Sequence, residues 1–319
     1  RGPTTTSARP SLLTRLRVLC TLSGVMNLAA YARETVERVQ QGHYTAPSGA
    51  RVELSATVAA ALEGTRLYRP GEPARAASPR SAGAPAPRVE VTAESTGAAA
   101  ARLVRQGHEV VLLNFASAKN PGGGFLGGAR AQEEDLARCS ALYACQLTQP
   151  EYYAANRREP SMLYTDHLIY SPRVPFFRGE DGVLLEAPFL ASVITSPAPN
   201  AGEHRARCGD DDAGIRAVLQ RRAAQILAVA ELHGHKTVVL GAWGCGVFKN
   251  DPEVVADVFR ELLAEPRPLE RVLFAVLARG RERKNLEAFE ARWPDGAHAR
   301  SSDERAVASA LSSGSDSAS

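Results

Sequence analysis

Two consecutive segments, Glu109-Val-Val-Leu-Leu-Asn-Phe-Ala116 and Asn120-Pro-Gly-Gly-Gly-Phe-Leu-Gly-Gly-Ala-Arg-Ala-Gln-Glu-Glu134, organise the rest of this chain. The first is an apolar run, which predicts a buried strand. In the second, five glycines within seven residues remove side chains from a turn, so backbone N–H groups can approach an anionic or sugar ligand closely. A strand, a glycine-rich loop and a nearby pair of carboxylates are together typical of a catalytic pocket.

A second glycine-rich loop stands in the same relation to a strand. Thr237–Leu240 is predicted to be a strand, and it leads into Gly241-Ala-Trp-Gly-Cys-Gly-Val-Phe-Lys-Asn250. Ligands of open α/β sheets bind beyond the carboxyl ends of the strands, so we expect the two loops to line one crevice. Trp243 and Phe248 suit contact with a sugar or a base. Together the loops favour a phosphate-containing nucleotide or nucleotide–sugar ligand over two mobile surface loops.

From Val89 to residue 293 the sequence alternates between apolar runs and amphipathic segments. The predicted strands are 89–93, 109–116, 163–170, 189–194, 237–240 and 271–277. The predicted helices are 96–106, 132–146, a helix that starts after Asp210-Asp211-Asp212, 252–264 and 282–293. Residues 171–186 are expected to form a loop. This alternation predicts a three-layer α/β/α sandwich with helices on both faces of the sheet.

The flanking parts of the chain have a different character. Residues 1–26 are predicted to be a disordered leader, and the Ser-rich residues 294–319 a disordered tail. Residues 27–88 are expected to form an N-terminal helical extension with helices at 27–41 and 55–63 and a short strand at 51–54. Within it, Gly64–Arg88 is rich in Pro, Ala, Arg and Gly, so we expect a connector without regular structure.

The composition excludes several classes of protein. A formal charge of +3 and the lack of a dense basic stripe with aromatic residues argue against nucleic-acid binding. Five cysteines without a CxxC pair suit reduced thiols in the cytoplasm better than a disulfide framework or a zinc site. No segment approaches the ~20 apolar residues that span a bilayer, so no membrane association is expected. A cofactor or a metal is not expected either.

Other readings of the motifs are weaker. Gly122-x-Gly124-x-x-Gly127 matches the dinucleotide fingerprint formally, but the strand ends too early and no acidic residue follows at the required distance. Asp210-Asp211-Asp212 is better explained as a helix cap than as a metal site. Cys245 has no identifiable base and no nucleophile elbow, which favours a small residue tolerated in a tight loop over a nucleophile.

The triple glycine Gly122–Gly124, followed after seven residues by Gln132-Glu133-Glu134, resembles the signature of poly(ADP-ribose) glycohydrolases. The residues 114–121 and 241–250 around it are similar to the bacterial branch of that family. The resemblance extends from about residue 27 to residue 293, with the exception of the connector. It implies a macrodomain-like fold with a mixed sheet and an N-terminal helical extension.

The resemblance also implies a reaction and its residues. The enzyme would hydrolyse ribose–ribose O-glycosidic bonds of poly(ADP-ribose) and release ADP-ribose, with Glu134 as general acid/base and Glu133 holding ribose hydroxyls. The substrate contacts it implies are Asn120, Gly122, Gly123, Gly124, Gln132, Gly244, Cys245, Gly246, Val247 and Phe248, and no metal takes part. The expected partners are poly(ADP-ribose) or ADP-ribosylated proteins. The enzyme is expected to be a monomer that reverses ADP-ribosylation in the DNA damage response.

Physical chemistry is consistent with these implied roles. Cleavage of a glycosidic bond requires a proton for the leaving oxygen. A free Glu, with a pKa of about 4.3, is a poor acid at neutral pH. A ligand that closes over the site, a neighbouring carboxylate and a nearby diphosphate would raise the pKa of Glu134 toward ~6–7. The alternatives are a non-catalytic ADP-ribose-binding macrodomain and a hydrolase of mono-ADP-ribosyl groups on proteins.

Overall fold

Seven strands form one mixed sheet in the computed structural model, which describes residues 27–72, 86–278 and 283–296. The strands of the whole described part are β1 (His43–Thr45), β2 (Arg51–Glu53), β3 (Arg66–Tyr68), β4 (Arg88–Thr92), β5 (Val110–Phe115), β6 (Leu168–Arg178), β7 (Leu184–Ser196), β8 (Thr237–Leu240) and β9 (Arg271–Ala275). The order in the large sheet is β3-β6-β7-β5-β8-β9-β4, while β1 and β2 form a separate antiparallel pair.

Ten α-helices accompany these strands in the described residues. They are α1 (Leu28–Gln41), α2 (Ser55–Gly64), α3 (Thr96–Arg105), α4 (Gln132–Cys139), α5 (Leu142–Leu147), α6 (Pro150–Arg158), α7 (Ala201–Cys208), α8 (Asp212–Leu232), α9 (Pro252–Leu263) and α10 (Arg283–Glu290). Short 3-10 turns lie at Phe125–Gly127 and Pro294–Gly296.

Helices cover both faces of the sheet, which confirms the predicted three-layer sandwich. Apolar residues of α8, α9 and α10 pack against one face, and those of α2, α3, α4 and α5 pack against the other. Ser95, Asp211 and Asp251 each accept a backbone N–H of the first turn of the helix that follows, and the cap at Asp211 was predicted from the sequence.

The sheet places the two glycine-rich loops side by side. β5 lies between β7 and β8, and all three strands are parallel. The loop after β5 and the loop after β8 therefore leave the same edge of the sheet at adjacent positions. At this edge the backbone of Gly241 packs closely against Phe115 and Ala275. A Cβ on Gly241 would be 3.0 Å from the Phe115 ring and 2.5 Å from the carbonyl oxygen of Ala275.

Several predictions about secondary structure are wrong. The expected loop 171–186 belongs mostly to the long β6–β7 hairpin, whose turn lies at 179–183. Arg66–Tyr68, in the expected connector, forms the edge strand β3 and pairs with β6. The expected helix 132–146 is two helices, interrupted at Ser140, which pairs with Phe176 of β6.

Other elements were not anticipated from the sequence. They are β1, α6 and α7, all outside the segments with a clear apolar period. The N-terminal helix α1 is confirmed. Three predicted segments lie partly or wholly outside the described residues: the disordered leader 1–26, residues 73–85 of the irregular connector 64–88, and residues 297–319 of the disordered tail 294–319. Pro294–Gly296, at the start of the expected tail, forms a 3-10 turn.

Candidate active site

The carboxylate of Glu133 lies buried beneath the first loop, held by three hydrogen bonds. Its residue is only 2 % exposed. Oε1 accepts from Asn114 Nδ2 at 3.0 Å and from Gln146 Nε2 at 2.8 Å, and Oε2 accepts from the backbone N–H of Ser117 at 2.6 Å. Loss of hydration raises the pKa of Glu133 to about 7, although the three hydrogen bonds act in the opposite direction.

Glu134, the next residue of α4, has a different environment. It is half-buried, and its Oε1 accepts the N–H of Gly124 at 3.0 Å. Its carboxylate therefore lies against the triple glycine and not in bulk solvent. Because consecutive side chains of a helix point in different directions, one glutamate is enclosed by protein while the other faces the loop.

The glycines of the first loop are required by this close approach. Gly122 and Gly123 have φ values of +63° and +57°, which side-chain-bearing residues rarely adopt. A Cβ on Gly123 would lie 3.0 Å from Cδ of Glu134 and 3.2 Å from Oε2 of Glu133. The triple glycine thus allows both carboxylates to lie against the backbone of the loop.

Gln132 joins the start of α4 to the end of β5. Its Oε1 accepts the N–H of Phe115 at 2.8 Å, and its Nε2 donates to the carbonyl of Leu113 at 2.7 Å and to Thr96 Oγ1 at 3.1 Å. The predicted contact of Gln132 with substrate stays a prediction, and in this structure its amide is engaged with the sheet. Asn120, also a predicted contact, is exposed, and its carbonyl accepts the N–H of Gly123.

The second loop presents backbone N–H groups at its tip, and Lys249 is its one charged residue. Its floor is Trp243, which is fully buried and donates Nε1–H to the carbonyl of Ser196 at 3.1 Å. At its tip Val247 is 83 % exposed. Among described residues the N–H groups of Gly246, Val247 and Phe248 have no intramolecular acceptor, so three adjacent donors are available to an anion.

Cys245 belongs to the structure of this loop. Its N–H donates to the carbonyl of Ala242, its Sγ lies 3.8 Å from the carbonyl oxygen of Trp243, and burial raises the pKa of its thiol. A nucleophilic cysteine needs a lowered pKa, so these observations favour the interpretation of Cys245 as a packing residue.

Sequence reasoning missed several residues of this site. Asn114 could have been noticed, because it is the one polar residue inside the apolar strand that leads to the first loop. Gln146 carried no signal, since only the fold brings it to Glu133. Tyr164 was also missed: its backbone has φ 61°, its carbonyl accepts from Arg222, and its ring centroid lies 6.0 Å from that of Phe248.

The described residues contain neither a candidate metal centre nor a membrane-spanning helix. In the described ranges, no group of three or more His, Cys, Asp or Glu side chains could hold a metal ion. None of the helices placed by the structure is both long and apolar enough to cross a bilayer.

The fold and the site define a class of protein. The mixed sheet lies between two helical layers, a glutamate pair lies against one glycine loop, and a second glycine loop follows the neighbouring strand. These features are those of a glycosidase with a macrodomain-like fold. Comparison with known proteins identifies the family. The model of the microbial-type catalytic domain of poly(ADP-ribose) glycohydrolase (PARG) matches residues 32–179.

Solved structures show the same similarity over most of the chain. Poly(ADP-ribose) glycohydrolase from Thermomonospora curvata, bound to the inhibitor ADP-HPD, is 49 % identical and has a TM-score of 0.76, with 83 % of this chain and 98 % of that chain covered. The enzyme from Deinococcus radiodurans in complex with ADP-ribose is 47 % identical with a TM-score of 0.69, covering 75 % and 97 %. A search of curated proteins gave no match. The chain belongs to the bacterial-type poly(ADP-ribose) glycohydrolases.

Proposed function

We propose that this protein hydrolyses the ribose–ribose O-glycosidic bond of poly(ADP-ribose) and releases ADP-ribose, with Glu134 as the general acid/base. The observation that carries the proposal is the pair of unlike carboxylates at one glycine loop. Glu134 faces the loop and bonds to Gly124, while Glu133 is buried and fixed by Asn114, Gln146 and Ser117. Family membership and the ADP-ribose complex of the Deinococcus radiodurans enzyme support this substrate.

The reaction follows from this arrangement. Protonated Glu134 gives its proton to the ribosyl oxygen as the bond between that oxygen and the anomeric carbon breaks. The resulting oxocarbenium-like sugar is stabilised by the negative charge of Glu133, whose carboxylate also accepts hydrogen bonds from ribose hydroxyls. Ionised Glu134 then removes a proton from a water molecule that attacks the anomeric carbon. The products are ADP-ribose and a polymer shortened by one unit, and Glu134 is protonated again.

The second loop would hold the diphosphate of the terminal unit. Its three free N–H groups, at Gly246, Val247 and Phe248, can donate to phosphate oxygens without any charged side chain. The ring of Phe248 would pack against the ribose. Gly244, with φ +74°, permits the turn that directs these donors, and Cys245 lies in the same turn. Asn120 would contact the terminal ribose at the first loop.

The cellular setting is part of the same proposal. We place the enzyme in the cytoplasm as a monomer that acts on poly(ADP-ribose) or ADP-ribosylated proteins in the DNA damage response. All four cysteines in the described residues are free thiols, which supports a reducing compartment.

Substitution of Glu134 by Gln tests the chemical role. Removal of a positioned general acid/base lowers kcat by roughly 10²–10⁴-fold, so we expect release of ADP-ribose from the polymer to fall by this factor. Binding of ADP-ribose, measured by calorimetry, should remain. Glu261→Gln is the matched control, because Glu261 is an exposed glutamate of α9 whose carboxylate bonds to Arg216 and not to the loop.

Near-wild-type turnover by Glu134→Gln would reject the assignment. Tight binding of ADP-ribose by the wild-type chain without any turnover would instead indicate a reader of ADP-ribose. Parallel assays on mono- and poly-modified proteins distinguish the third alternative, because a mono-ADP-ribosyl hydrolase would leave the polymer intact.

A further inference from the structure

Gln146 of α5 connects the two halves of the candidate active site through one amide. The residue is fully buried. Its Nε2 donates to Oε1 of Glu133 at 2.8 Å, and its Oε1 accepts the N–H of Gly122 at 2.8 Å. The same side chain thus contacts the enclosed carboxylate and the first residue of the triple glycine.

We propose that Gln146 is a positioning residue that holds Glu133 and the glycine loop at a fixed separation, so that both bind the terminal ribose as one unit. This inference rests on the proposed function. It concerns a residue that touches Glu133 and the loop, and neither the sequence signature nor its spacing includes it.

The amide of Gln146 can satisfy both partners in one orientation only. Glu133 offers acceptors and Gly122 offers a donor, so the reversed amide would place oxygen against oxygen and N–H against N–H. Burial of an amide costs free energy unless both ends are bonded. Leu142 and Cys145 of the same helix pack in the apolar core, which shows that α5 could present an apolar side chain for packing alone.

The hydrogen bonds leave one acceptor position on Glu133 for a ligand. Each carboxylate oxygen has two lone pairs. Those of Oε1 are used by Asn114 and Gln146, whereas Oε2 is bonded only to the N–H of Ser117. Oε2 is also the oxygen that lies toward Gly123, since a Cβ there would be 3.2 Å away. A ribose hydroxyl that enters over the loop can therefore donate to Oε2.

The charge on Glu133 depends on these donors. The titratable groups that face it are Glu134 on its own helix and the hydroxyls of Tyr152 and Tyr153 on α6, while β5 and α5 contribute only amides. None of these groups is a cation. Removal of the Gln146 donor should raise the pKa of Glu133 above about 7 and so favour its neutral form, which is a poorer acceptor for ribose hydroxyls.

Two substitutions of Gln146 have opposite expected effects on the pH dependence of binding. Gln146→Met removes the donor, so affinity for ADP-ribose should fall about tenfold near neutral pH, which corresponds to about one unit of pKa, and should recover partly as pH rises. Gln146→Glu creates two carboxylates that share one proton. Affinity for ADP-ribose should stay close to wild type at low pH, where the shared proton is retained, and should fall as pH rises and this proton is lost.

The experiment measures the Kd of ADP-ribose by calorimetry, with kcat and KM on the polymer, from about pH 6 to about pH 9 for each variant. Gln149→Met is the control, because this amide bonds to Thr65 and Thr148 and does not touch Glu133. We expect opposite pH trends for the two Gln146 variants, larger changes in KM than in kcat, and less than about twofold change for the control.

Several results would overturn the proposal. These are equal losses at every pH, trends of the same sign for both variants, or no change in Gln146→Met. If Gln146→Met does not fold, Gln146→Glu still tests the proposal: its affinity for ADP-ribose must fall as pH rises, and an affinity that does not fall overturns the proposal. A wild-type chain that binds ADP-ribose but does not cleave polymer would reject the proposed function and leave the Kd series valid. If it does neither, both proposals fail.

Discussion

The two glycine-rich loops follow adjacent parallel strands, yet they differ in what stabilises them. The first is bound to two carboxylates and one amide, with Gly124 donating to Glu134, Ser117 to Glu133 and Gly122 to Gln146. Among the described residues, the second is bound to no carboxylate: Asn250 Nδ2 donates to the carbonyls of Pro199 and Gly244, Arg205 donates to the carbonyl of Lys249, and Trp243 forms the floor of the loop.

This difference separates two tasks. The first loop fixes Glu134, whose charge changes during glycosidic cleavage, so errors in the position of that carboxylate should lower kcat. The second loop offers uncommitted N–H groups to a diphosphate whose charge does not change, so errors there should weaken binding of substrate and product alike. Three substitutions test this separation.

Gly123→Ala should have the largest effect. The new Cβ would stand at φ +57° and 3.0 Å from Cδ of Glu134, so the loop or the carboxylate must move. A displacement of about 1 Å at reacting groups can cost about 10²-fold, and we expect kcat to fall by at least this factor. Steady-state kinetics on poly(ADP-ribose) measures it.

Gly234→Ala is the control for backbone strain. Gly234 has φ +75°, and no atom lies within 4 Å of the position of its Cβ. It lies between α8 and β8, at the end of β8 opposite to the one that leads into the second loop. A comparable drop in kcat for Gly234→Ala, or a normal kcat for Gly123→Ala, would contradict the role given to the first loop.

Gly244→Ala should weaken binding with little effect on chemistry. Its φ is +74°, and a Cβ would lie 2.5 Å from Nδ2 of Asn250, the amide that supports the loop. We expect Kd for ADP-ribose and KM to rise about tenfold, the effect of about 1.4 kcal/mol, with kcat within a few fold of wild type.

Gly209→Ala is matched to this variant, since it has φ +79° and free space around the Cβ position. Calorimetry with ADP-ribose compares the two. A reduction of kcat in Gly244→Ala as large as that in Gly123→Ala would show that the two loops do not have separate tasks.

Thr35→Val should have the smallest effect and concerns the support of the first loop. Thr35 of α1 is buried and donates to the carbonyl of Arg138 at 2.6 Å, and Arg138 in turn donates to the carbonyl of Ala129 in that loop. A buried carbonyl left without a donor costs about 1–3 kcal/mol. Even about 1 kcal/mol lowers Tm by roughly 2–4 °C in a domain of this size.

The Tm of Thr35→Val, measured by calorimetry, is compared with the Tm of Thr57→Val. The hydroxyl of Thr57 bonds within the start of its own helix and is partly exposed. We expect a smaller fall in Tm for Thr57→Val. An unchanged Tm for Thr35→Val would indicate that α1 does not stabilise the loop through this bond.

Local signals were sufficient for the elements that position the site. Apolar runs predicted β5 and β8, the glycines predicted both loops, and the acidic run Asp210–Asp212 predicted the cap of α8. Residues 171–186 were expected to form a loop, but most of them belong to the β6–β7 hairpin, where Pro172 and Pro175 interrupt the apolar pattern. Register shifts between Ser171 and Val174 and between Phe176 and Arg178 accommodate this irregular strand in the sheet.

The sequence by itself determined the alternation of strands and helices, the two glycine loops and the presence of a glutamate pair, because these depend on residues close together in the chain. Only the tertiary structure decided that Glu133 is enclosed while Glu134 faces the loop. That difference depends on donors from Asn114 and Gln146, which lie 19 and 13 residues away in the chain and meet Glu133 only when β5, α4 and α5 pack together. Burial and hydrogen bonding, not residue type, thus distinguish two identical side chains.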